Sequence, residues 1–140
     1  MADTFEIEIA TPERSIVRET AVRAQIPAKT GYIGILPDHA ALVSELGIGA
    51  LSYVTPQEGK YVVAVHGGFV EVLDNQVRVL ADVAEPGPEI DVQRARRALE
   101  RSEPEMVNPS EGADPAQAFY AVLRAEARIE AARKARANEE

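Results

Sequence analysis

The 140-residue chain has no cysteine, so it can carry no disulfide framework, thiol nucleophile or thiolate metal site. No apolar run approaches the roughly 18 to 20 residues that span a bilayer, and direct membrane insertion is not expected. The first residues, including Asp3 and Glu6, carry acid where a signal peptide carries base, and the Arg-rich, acid-poor composition of a transit peptide is missing. Positive charge is also scarce: 15 Lys and Arg face 23 Asp and Glu, a net charge of -8. Nucleic-acid binding needs a basic face that displaces counterions from phosphate, so nucleic acid is not an expected partner.

Catalytic motifs are equally sparse. There is no Gly-rich Lys-Ser/Thr phosphate loop, no Gly-x-Ser-x-Gly elbow and no His-Glu-x-x-His helix. Lys29-Thr30-Gly31 matches one β-lactamase fragment, but Ser-x-x-Lys and Ser-Asp-Asn do not accompany it. His39 and His66 lack a cysteine or an obvious carboxylate cluster, and both are read as structural histidines at a turn or an interface.

What is present divides the chain in two. Over residues 5–81 apolar and polar residues alternate, as in Phe5, Ile7 and Ile9 against Glu6 and Glu8, and period two marks half-buried strands. Turn residues recur every eight to twelve positions or so, the spacing of a sandwich or barrel. About ten short strands are expected, with Gly67-Gly68 taken as a turn. Asp74-Asn75 reads as a two-residue hairpin, since both residue types tolerate the positive φ of a type I′ turn.

After Ala84 the composition shifts to Ala, Arg and Glu, with Pro86-Gly87-Pro88 as a linker. The expected organisation is therefore an antiparallel β-sandwich over residues 1–84 and a two-helix antiparallel hairpin over residues 85–140. Asp91 can cap a helix reaching about Ser102. Asp114, Pro115 and Gln117 open a second helix that reaches about Arg136. Residues 103–113 between them are long for a helix connection and read as a hinge. Phe119, Val122, Leu123 and Ile129 give the second helix a narrow apolar stripe, so weak docking is expected.

Arginines are the one chemical cluster. Arg94, Arg97 and Arg101 lie at i, i+3 and i+7 on the first helix, and Arg124 and Arg128 are four apart on the second. If the hairpin brings these guanidinium groups together, their repulsion favours a bound anion such as a polyphosphate. Two solvated faces near Glu100, Glu126 and Glu130 are the alternative.

The run Gly31-Tyr-Ile-Gly-Ile-Leu-Pro-Asp-His-Ala-Ala-Leu-Val-Ser-Glu-Leu-Gly-Ile-Gly-Ala-Leu51, with His66-Gly-Gly-Phe-Val-Glu-Val72, resembles the matching regions of the epsilon subunits of F-type ATP synthases. Ile90-Asp91-Val92-Gln93-Arg94-Ala95 is similar to the motif with which some bacterial members bind ATP. The resemblance implies a non-catalytic central-stalk subunit of the F1 sector that couples ion-driven c-ring rotation to ATP synthesis. Its partners would be the gamma subunit, the c-ring and the alpha/beta catalytic hexamer, at the cytoplasmic face of the bacterial inner membrane. No cofactor would be required, with ATP as a regulatory ligand. Adenine contact is implied near Glu85, Ile90 and Asp91, next to Ala95, and phosphate contact at Arg94, Arg101, Arg124 and Arg128. Thr30, Gly31 and Tyr32 with Ala40, Ala41 and Leu42 would face the c-ring, and His39 would lie near gamma. Tyr32 replaces an acidic residue of some members, and Gln117 a basic one. Arg133, Lys134 and Arg136 would meet the catalytic hexamer when an extended arm blocks hydrolysis. A free-standing nucleotide-sensing or small-ligand module is the rival reading.

Overall fold

The structure, a computed structural model, describes residues 2–139, so Met1 and Glu140 at the ends of the two expected domains lie outside it. Eight strands form the first part: β1 (Phe5–Ala10), β2 (Ser15–Ala21), β3 (Arg23–Ala28), β4 (Gly31–Ile35), β5 (Leu42–Glu45), β6 (Ile48–Val54), β7 (Lys60–Leu73) and β8 (Gln76–Pro86). They lie in the order β2-β1-β8-β7-β6-β3-β4, with β5 also beside β7. All pairs are antiparallel except β1 with β8.

The sandwich expected from period two is present, with eight strands where about ten were expected. Part of the difference lies at Gly67-Gly68, which bends a single strand and does not end it. β6 pairs with β7 as far as His66, and β5 takes over at Phe69. Between them Gly67 and Gly68 have φ of 73° and 106°, values that side chains resist. β7 thereby passes from one layer to the other and closes the sheet over a core that includes Phe5, Ile7, Ile26, Leu51, Val65 and Val79, all at most 2% exposed. Each large side chain so buried contributes about 1.5–3 kcal/mol.

The Asp74-Asn75 hairpin forms as expected, with positive φ at both residues. Asn75 also pins neighbouring loops. Its Oδ1 accepts from Asp38 N at 2.8 Å, and its Nδ2 donates to Thr4 O at 2.6 Å.

β7 carries two apolar faces before its bend. Val63 and Val65 enter the sandwich core, while Val62 and Ala64 point the other way into a second cluster with Ala50, Ile90, Ala131 and Ala132. A continuous apolar run is what a strand covered on both sides requires, and the helical arm supplies the second cover.

That arm comprises α1 (Val92–Val107) and α2 (Pro115–Ala137). Both N-caps are as expected: Asp91 accepts from Arg94 N, and Asp114 from Ala116 N. The first helix runs past the expected end at Ser102 to Val107 with Pro104 inside its last turn, although proline has no N–H to donate to the carbonyl four residues back. The connection is accordingly shorter than expected, and Ser110 N bonds Glu105 Oε2 across it at 2.9 Å. Pro86-Gly87-Pro88 is also more ordered than a linker. Pro86 still pairs with Val63, and Gly87–Glu89 forms a buried-edged 3-10 turn.

α2 is the inner helix, lying against β6, β7 and the 3-10 turn, whereas α1 rests mainly on α2. The expected stripe does not make this contact. Phe119 is 46% exposed and packs edge-on against exposed Tyr120, Leu123 and Ile129 are half-buried, and only Val122 is buried. Ala125, Ala127, Ala131, Ala132 and Ala135 form the buried face instead. Small side chains let the helix axis approach the sheet closely, and each contributes little apolar area.

Candidate anion-binding cleft

Where α2 leaves the sheet, a cleft of about 640 Å³ opens between the arm and the β-domain. Its floor is the outer face of β7 and β8, where Ala64 and His66 stand opposite Glu85 and Val83 in the strand register. Arg124 and Arg128 enter from α2, and Arg94 and Arg101 from α1.

The structure thus brings together Glu85, Arg94, Arg101, Arg124 and Arg128. Arg97 is exposed and does not line the cleft. Arg124 and Arg128 are half-buried beside Ala125. Ile90, Asp91 and Ala95 lie next to the cleft and not in its lining. Ile90 is buried in the cluster beneath α2, Asp91 caps α1, and Ala95 is fully buried.

Four guanidinium groups share this space with one lining carboxylate. Glu85 takes Arg128 in a fork, with Nε at 2.8 Å from Oε1 and Nη2 at 3.3 Å from Oε2. Among the described residues Arg94, Arg101 and Arg124 have no ion-pair partner. The cleft therefore has an unbalanced positive charge, with Arg124 and Arg128 half-buried and Arg94 and Arg101 exposed at its edge, which favours an anion with several acceptor oxygens.

His66 is the lining residue that sequence reading assigned to structure alone. Burial holds its imidazole below the usual range, Arg124 and Arg128 act in the same direction, and Asp82 and Glu85 oppose them. The available signal was its alternation with Val62 and Ala64 on one face of β7.

The other expected contact residues lie elsewhere. Lys29 and Thr30 form the exposed β3–β4 turn, and Gly31 opens β4 opposite Ala28. Ala50 N donates to the Tyr32 hydroxyl at 3.2 Å, at a place where Pro27 has no N–H to offer its neighbours. Leu42 opens β5 opposite Val72, whereas Glu45 at its other end accepts from Lys29 N. Ala40, Ala41 and Leu42 are thus separated from Thr30, Gly31 and Tyr32 by the length of β5, roughly 10 Å at the usual strand rise. His39 Nδ1 bonds Ala40 O at 2.8 Å. At the far end of α2, Arg133 and Arg136 are exposed and Lys134 pairs with Glu130 at 3.0 Å.

A β-sandwich bearing a two-helix arm, with a cationic seam between them, defines a two-part chain built to hold its arm against its body. Residues 4–87 match the ATP synthase delta/epsilon chain beta-sandwich domain, and residues 89–133 match the long alpha-helix domain of the same family. The chain belongs to the delta/epsilon chain family of ATP synthases and is a subunit of that complex. It is 55% identical over 134 residues to the ATP synthase epsilon chain of Solibacter usitatus, covering 96% of this chain and 99% of that one. With the epsilon chain of Desulfitobacterium hafniense it shares 46% identity over 134 residues, covering 95% and 99%. In structure it is similar to a chain of the Euglena gracilis mitochondrial ATP synthase, with a TM-score of 0.82 and 25% identity over 94% of this chain and 82% of the other. That solved assembly comprises OSCP, F1 and the c-ring. No helix of the described residues is long and apolar enough to cross a membrane.

Proposed function

We propose that this chain is a non-catalytic rotor subunit whose β-domain couples c-ring rotation to ATP synthesis, and whose arm is a brake held in its compact state by ATP. The observation that carries the ATP part is the convergence of Arg94, Arg101, Arg124 and Arg128 on one cleft of about 640 Å³, a size within the range of small-molecule sites. The arginines would grip the phosphates. Asp91 would fix the start of α1 and hence the placement of Arg94, with Ile90 and Ala95 supporting the cleft from beside it and Glu85 offering a polar contact to the base. ATP acts here as a regulatory ligand, and no cofactor is required.

In the assembly the β-domain would sit on the gamma subunit and the c-ring, at the cytoplasmic face of the bacterial inner membrane. Because Thr30, Gly31 and Tyr32 are separated along β5 from His39, Ala40, Ala41 and Leu42, the two stretches would meet the rotor at two places. The released arm would reach the alpha/beta hexamer through Arg133, Lys134 and Arg136, whose charge suits an acidic loop.

Calorimetry on the full chain tests the latch. Arg94→Ala and Arg124→Ala are each expected to weaken ATP binding by about 1.5–3 kcal/mol, the range for hydrogen bonds to charged groups, with the β-domain unaltered. No heat at millimolar ATP would remove the latch and leave the family assignment in place.

The β-domain is expected to fold without the arm, since its core cluster draws on no residue of the arm. A chain cut after Pro86 should keep its strand circular dichroism and a cooperative melt. Loss of both would show that α2 is needed to hold β6 and β7.

A further inference from the structure

His66 is the third residue of the face of β7 that also carries Val62 and Ala64. Those two are sealed by α2, but His66 lies where the helix has left the sheet and is only half-buried. It borders two spaces at once: the arginine cleft, and a neighbouring groove of about 650 Å³ whose lining includes Phe69, Tyr120 and Leu123. Among the described residues its ring nitrogens have no hydrogen-bond partner, unlike His39, whose Nδ1 is bonded to Ala40 O.

The charges around His66 come from every element packed against it. α2 brings Arg124 and Arg128, α1 brings Arg94 and Arg101, and β8 brings Asp82 and Glu85. On the groove side stand Lys29 and Glu45, paired at 3.1 Å, and the phenol of Tyr120. The net field on the cleft side is positive and opposes an imidazolium.

We propose that His66 is a further anion-contacting residue of the cleft, and that its imidazole takes up a proton from solvent when a polyphosphate binds. This rests on the nucleotide reading above. The polyanion reverses the sign of the field that the arginines impose, and the imidazolium then serves as a fifth cationic donor. No bond other than the N–H forms or breaks.

Without ligand the sign is opposite. A histidine whose folded form is held below its ordinary range contributes stability that is present above about pH 6.5 and is lost as pH falls through the lowered value. Acid thus weakens the empty compact state and strengthens the occupied one.

The test is calorimetric titration of the full chain and of His66→Gln with ATP and with inorganic tripolyphosphate, between about pH 6 and pH 8, in buffers of different ionisation enthalpy. The ratio of the two proteins' Kd values at each pH cancels the ligand's own titration. The ratio of variant to parent should be near unity at the alkaline end and rise to roughly three- to sevenfold near pH 6, since a bound-state shift of about one pKa unit reaches its tenfold limit only below both values. Buffer-dependent heats should show proton uptake in the parent and less in the variant. A pH-independent ratio, with both proteins binding, would overturn the role of His66 and leave the nucleotide cleft standing. No binding by either protein at any pH would overturn both.

Discussion

Replacing Gly87 by alanine is expected to lift α2 off the sheet while the β-domain stays folded. A Cβ at this position would lie 2.7 Å from Ala131 O, 2.7 Å from Ala135 Cβ and 3.2 Å from Val62 O. Two of these atoms are backbone oxygens and cannot rotate away. The 3-10 turn is held by the pairing of Pro86 with Val63 and by the bond from Ile90 N to Gly87 O. α2 is held to the sheet by alanine contacts and the Arg128–Glu85 fork, so the helix is the part that yields. Overpacking of this kind costs about 1–3 kcal/mol, which shifts the docked-to-released ratio by roughly 5–150-fold. Hydrogen exchange should quicken across α1 and α2 and stay unchanged in β1, β7 and β8. If the released arm is the brake, hydrolysis by the assembled enzyme should fall in this variant and rise when the arm is deleted. Unchanged protection of α2 would mean that the turn, not the helix, absorbs the added methyl.

Gly68→Ala is expected to damage the β-domain itself. Gly68 combines φ of 106° with a close approach to the Leu80 carbonyl, which an added Cβ would meet head-on. It lies opposite Ala81 in the longest pairing of the sheet, so relief would require breaking the strand pair at the corner where β7 changes layers. Backbone strain alone costs about 1–3 kcal/mol, and the clash adds to it. A total of about 3 kcal/mol would lower Tm by roughly 12–24 °C for a domain of this size. Gly67→Ala should be milder, because beyond the strain of its positive φ the atoms in its way belong to the exposed Asp82 side chain, which can move. Equal thermal shifts for the two variants would refute the corner argument.

These two glycines also mark the limits of what the sequence disclosed. Local rules were enough for the Asp74-Asn75 hairpin and for helix starts at Asp91 and Asp114, because each depends on a few adjacent residues. Gly67-Gly68 has the same composition as a turn, and only the pairing of β7 first with β6 and then with β5 distinguishes a bent strand from two strands. The docking face of α2 was hidden for a related reason. Phe119 and Leu123 dominate any apolar count, yet alanines make the closest contact because the sheet beneath presents Ala50, Val62 and Ala64. Four of the five arginines line one cleft. Arg97 was grouped with them by spacing, but the side of α1 that faces the cleft runs through Arg94, Ala98 and Arg101. Alternation puts His66 on one face with Val62 and Ala64, but the strand is apolar on both sides, so periodicity alone does not say which face the arm covers.

Each wall of the cleft belongs to a different segment: the floor to β7 and β8, one side to α2 and the cover to α1. The site is therefore assembled only while the arm is docked, and by thermodynamic linkage occupancy and arm position bias each other equally. The apparent Kd of any ligand held there equals the intrinsic value divided by the docked fraction. A protein surface that captures the released helices then acts as a competitor of that ligand without touching the cleft, and lowers its apparent affinity below that of the isolated chain.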